Sequence, residues 1–167
     1  MINPKLQKEK KKIDDLFTRV SKFTGEPFDK ALLTQFLCIR VSGFLENCVR
    51  IIFTEYSTPR TNDNVKAFIY KKLERFPNPD YQAIIALTKQ FSNEWVANLR
   101  KILDEKHQTS LSGINKNRNQ IAHGQSSVIT LTDLRTYYND ARRLPPRSAR
   151  PALDEARPVP TLRRAAW

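Results

Sequence analysis

Apolar residues recur every three or four positions along most of the chain up to Ala141, and no stretch keeps the two-residue alternation of a half-buried strand. The pattern predicts an all-α fold, a compact helical bundle of about five to seven helices. Ile13, Leu16, Phe17 and Val20 give a first helix, Leu6 to Phe23, one apolar stripe behind a cluster of lysines. Gly25-Glu26-Pro27 breaks the chain before a longer helix from about Asp29 to Glu55. Along it Leu33, Leu37, Val41, Phe44, Cys48 and Ile52 form a stripe that further apolar residues widen, so this helix belongs in the middle of the bundle. Ser57-Thr58-Pro59 closes it, and Asn62 or Asp63 caps a third helix to Phe76 with Val65, Phe68, Ile69 and Leu73 inward. After a turn at Pro77-Asn78-Pro79, Tyr81 to Lys89 and Asn93 to about Leu103 read as two short helices, with Phe91, Trp95, Leu99 and Ile102 as packing residues. A sixth spans roughly Gln108 to Ala122, and Thr132-Asp133 caps the last, which runs to about Ala141.

The sixth helix ends in Arg118-Asn119-Gln120-Ile121-Ala122-His123-Gly124, and this end carries the chemistry. Gly124 followed by Gln-Ser-Ser is a helix stop, because glycine takes the left-handed conformation at no steric cost. Residues four apart share a helix face, so the Asn119 amide is placed to reach the His123 ring and fix its tautomer. Arg118 precedes His123 by five positions, about 140° around the helix, so one copy splays the two side chains and a second copy could complete a site. Cleavage of a phosphodiester by its own 2′-hydroxyl needs a base that works near neutral pH, and histidine is that side chain. It also needs positive charge on the phosphoryl oxygens, which the planar arginine fork matches. His123 is therefore the candidate base, Arg118 the clamp, Asn119 the orienting group, and Lys116 an added RNA-binding cation. The bland alternative is that Asn119 and His123 only cap a helix C-terminus, where an imidazolium suits the helix dipole.

At these residues the chain resembles the HEPN superfamily, whose signature is Arg, a polar residue and then His after a short spacer. The resemblance extends to Phe44-Leu45-Glu46 and to Phe91-Ser92-Asn93-Glu94-Trp95, which look like the RiboL-PSP-like branch, and it covers roughly residues 5 to 141. It implies an all-α bundle that forms a homodimer with two Arg/His motifs facing one cleft. It also implies a metal-independent endoribonuclease in a bacterial defence or toxin–antitoxin system, with an antitoxin or another defence protein as partner. Glu46 becomes an accessory candidate by the same resemblance, although Ser42, Glu46 and Arg50 also form a polar line at steps of four, where Glu46 need only pair with Arg50. The runner-up function is a catalytically silent module that binds RNA or a protein.

Charge sharpens this picture. A formal net charge of +12 favours an anionic partner, and RNA fits because phosphate contacts supply affinity independent of sequence. The charge is uneven: residues 142–167 hold seven arginines, Asp154 and Glu155, half of the ten prolines and no lysine. That shift divides the chain into a helical domain, 1–141, and a tail, 142–167, expected to be disordered and either foreign or frameshifted in origin, with a native RNA-binding arm as the alternative. Cys38 and Cys48 stand ten residues apart on one helix, about 15 Å and beyond disulfide reach, so both are expected as reduced thiols. Two histidines sixteen apart give no zinc spacing, and four glycines form no phosphate loop, so neither metal nor cofactor is expected. With no signal segment and no run of about 18 apolar residues, a cytoplasmic protein with no membrane span is expected.

Overall fold

The computed structural model describes residues 3–57, 62–74, 76 and 79–142. These fold as α1 (Pro4–Ser21), α2 (Pro27–Ser57), α3 (Asp63–Glu74), α4 (Tyr81–Phe91), α5 (Asn93–Ile102), α6 (Glu105–Ala122) and α7 (Leu131–Ala141), with no strand among the described residues. Side chains set most of the starts. Asn3, Asp80, Ser92, Asp104 and Thr130 each accept a backbone N–H of the first turn, which satisfies a donor the helix itself cannot.

Two antiparallel hairpins make the core. In the first, the Asn3 amide bonds Glu55 and Asn47 donates to Glu9 at 3.2 Å, so α1 runs up as α2 runs down. In the second, Ser110 bonds Asp140 at 3.3 Å and Ser127 bonds Asn117 at 2.9 Å, which sets α6 against α7. Leu37, Cys38, Val41, Leu111, Ile114 and Leu134 fill the space between the pairs, all at most 2% exposed. Each apolar side chain sealed this way contributes on the order of 1.5–3 kcal/mol. Tyr138 joins three helices: its ring stacks on Phe17 at 5.2 Å, meets Phe44 edge-on at 6.0 Å, and its hydroxyl donates to Asp14 at 3.1 Å. Burial, and then the Asp14 carboxylate, push that hydroxyl far above the ordinary tyrosine range.

α4 and α5 close one end of the bundle. Phe91 lies 5.0 Å from Phe53 of α2 and stacks on Trp95 at 5.9 Å, while Asn115 of α6 donates to Asp80 at 3.2 Å. The aromatic residues at 91 and 95 thus pack as expected. The opposite end, where α2 begins and α6 finishes, has no such cover among the described residues. There Phe28, Leu32, Phe36 and Ile39 stand 72%, 48%, 53% and 41% exposed.

Several expectations need correction. Leu73 is inward on α3 and Ile69 half-buried, but Val65 and Phe68 face outward, because a short peripheral helix buries one narrow face. α6 starts at Glu105 rather than Gln108, drawn back by the Asp104 cap, and the cap of α7 is Thr130 rather than Thr132-Asp133. His107 folds back onto Asp104, with Nδ1 2.7 Å from the carboxylate. Of the expected turns, residues 58, 59, 77 and 78 lie outside the described residues, as does the expected tail except Arg142. Arg142 belongs to the fold: it caps α7, stacks over Tyr138 at 5.3 Å and reaches Asp14 at 3.4 Å. No described helix is long and apolar enough to cross a membrane.

Candidate active site

The end of α6 is built by backbone geometry. Gln125 N–H bonds the Gln120 carbonyl at 2.8 Å and Gly124 N–H bonds that of Ile121 at 3.1 Å, the paired bonds of a Schellman closure. Gly124 has φ +67° with open space around the position of a missing Cβ, so conformation and not crowding calls for glycine there. His123 is the C-cap: its N–H bonds the Asn119 carbonyl at 3.0 Å, while its side chain is exposed and makes no hydrogen bond among the described residues. The imidazole stands in solvent at the uncovered end of the bundle.

Arg118 takes the other flank. It follows Leu111 by seven residues and Ile114 by four, so it extends the buried side of α6, and it is half-buried. Its Nη1 donates to Asn119 Oδ1 at 3.2 Å. The carboxamide expected to orient His123 therefore holds the guanidinium, and Asn119 touches His123 through the backbone alone. Lys116 is exposed and precedes His123 by two turns, which puts it on the same side as the imidazole. Glu46 is not brought here. Cys38 of α2 meets the Ile114 carbonyl at 3.9 Å, and from that level Glu46 lies eight residues away from the His123 end. Along the antiparallel pair this separates it from His123 by roughly 25 Å of helix.

Asn117 braces the same helix end, with no motif in the sequence to mark it. Its Nδ2 donates to the Gly113 carbonyl at 2.8 Å and its Oδ1 accepts from Ser127 at 2.9 Å, so it ties the segment after Gly124 back along α6. Its only sequence signal was an asparagine one turn after a helical glycine, which many surface helices share. Among the described residues no group of three or more His, Cys, Asp or Glu side chains is placed to hold a metal ion. The arrangement offers a fixed cation and a free imidazole on opposite flanks of one helix end, about 140° apart by helix geometry.

An all-α bundle, with seven helices among the described residues, sets the class. A family model described as RiboL-PSP-HEPN matches residues 5–144, and the chain belongs to that family. No curated protein and no solved structure matches it.

Proposed function

We propose that this protein is a metal-independent endoribonuclease that works as a homodimer. The observation that carries the reading is the end of α6, where His123 projects its ring into solvent within five residues of a guanidinium held by Asn119. In the proposed reaction His123 takes the proton of an RNA 2′-hydroxyl, whose oxygen attacks the adjacent phosphorus. Arg118 stabilises the charge that gathers on the phosphoryl oxygens. The 5′-oxygen leaves with a proton supplied from the second copy's histidine, and a 2′,3′-cyclic phosphate remains. Lys116 adds a phosphate contact on the imidazole side. Because Arg118 and His123 diverge within one protomer, two-fold symmetry is what brings a base and a clamp onto one phosphate. The family match is in keeping with RNA as substrate; the bacterial defence or toxin–antitoxin setting and its regulating partner belong to the proposal. Both cysteines are free thiols, which suits the reducing cytoplasm.

The same divergence favours a second reading, a silent helical module that binds RNA or protein without cutting it. Incubation with mixed RNA in excess EDTA separates the two. Cleavage by the wild type with cyclic phosphate ends, abolished in His123→Ala and reduced at least about 100-fold in Arg118→Ala, is the result expected for general-base and electrostatic catalysis. Intact RNA with both the wild type and His123→Ala overturns the enzyme and leaves the module.

A further inference from the structure

Phe28, Leu32 and Phe36 follow one another at steps of four along α2, Ile39 comes three residues later, and Gly43 continues the line. Helix geometry sets this stripe opposite Leu37, Val41 and Leu45, the residues that α2 buries. Four large apolar side chains at 41% to 72% exposure leave roughly 400 Å² of apolar surface, the size of a monomer's largest patch, which is often functional.

We infer that this face of α2 is where a second copy of the chain stacks, antiparallel about a two-fold axis between Leu32 and Phe36. This rests on the proposed homodimer and names the surface through which its two copies pair. Charge supplies an independent argument. Asp29 and Arg40 are eleven residues apart, so they lie within about 20° of each other on one flank of the stripe. Both are exposed, and neither has a side-chain hydrogen bond or ion pair among the described residues. A two-fold perpendicular to α2 keeps each flank on its own side while exchanging the ends. Leu32 then faces Phe36 of the copy, and Asp29 faces Arg40 twice over. A face carrying one acid and one base at matched distances from its centre is complementary to itself.

Area agrees with this occupant. The stripe from two copies buries about 800 Å², close to half of a standard interface, before its flanks are counted. Position agrees as well. Since Cys38 meets Ile114 and the helices run antiparallel, the middle of the stripe is level with Arg118. α6 lies along the other flank of α2 from Asp29 and Arg40, and the two-fold keeps both copies of α6 on that flank.

Sedimentation of the full chain at about 50 μM, without RNA, tests this through the mass. The wild type should sediment at twice the mass of one chain, and Phe36→Asp at the mass of a single chain with unchanged helical circular dichroism. Asp29→Arg and Arg40→Asp should each weaken the dimer at least about tenfold, and their combination should restore it, as expected for facing charges. A monomeric wild type, or a Phe36→Asp variant that stays dimeric, overturns the inference. A monomeric wild type whose RNA binding is lost in Phe36→Asp gives the stripe to nucleic acid and overturns it too. The readings fail separately: a dimer that leaves RNA intact removes the nuclease alone, and an active monomer removes the interface alone.

Discussion

His123 gives its backbone to α6 and its side chain to solvent, and Gly124 is what lets it do both. A Cβ at φ +67° costs about 1–2 kcal/mol, so Gly124→Ala should lower stability by that amount, read from denaturant midpoints at unchanged slope. If the bend also aims the imidazole, cleavage should fall further than the unfolded fraction explains; a variant of full wild-type stability would dismiss the strained cap. Gly124 was legible because positive φ has few other solutions. The Asn119 contact was not, since helix spacing allows that carboxamide to reach His123 and says nothing of a neighbouring guanidinium that competes for it. A cation bound to a neutral acceptor is the stronger of the two available bonds.

Among the elements, α6 shows how one carboxylate moves a boundary. Asp104 accepts the His107 backbone N–H at 3.1 Å and contacts its ring at 2.7 Å, and the N–H bond first, then the ring, hold its pKa below the ordinary aspartate range. A carboxylate depressed on folding contributes stability present above its unfolded pKa and lost as pH falls through the folded one. Amide exchange in the first turn of α6 should therefore quicken as pH drops below about 4. Asp104→Asn, still a good cap, should remove that dependence; identical profiles for both would place the effect elsewhere. The sequence hid this start because Leu103-Asp104 contains neither proline nor glycine, and a lone aspartate marks many turns. It hid the bare stripe of α2 for a different reason. That helix is apolar on nearly every side, and periodicity cannot say which side meets a neighbour in the same chain.

For the molecule as a whole, the all-α class, most helix boundaries and the motif's place at a helix end were legible, because periodicity and helix stops are local signals. Which end of the bundle stays open was not, since it depends on contacts between residues as distant as Phe53 and Phe91 or Asp80 and Asn115. The packed interior has its own pH signature. Burial pushes the Cys38 thiol from 9.0 to about 11, and burial with Glu9 nearby pushes Cys48 to about 12. Both keep their protons in the fold where the unfolded chain would lose them, so their contribution is whole below pH 9 and declines as pH rises through 11 and 12. Native protein at pH 8 should resist alkylation while urea-unfolded protein reacts at both thiols; ready labelling of the native chain would contradict the burial.

The pairing of Asn3 with Glu55 has a practical corollary. It anchors the first described residue roughly 40 Å along α2 from the level of His123. A fluorescent protein or affinity handle joined ahead of Asn3 starts from the pole opposite His123, which leaves that end of α6 clear of the cargo.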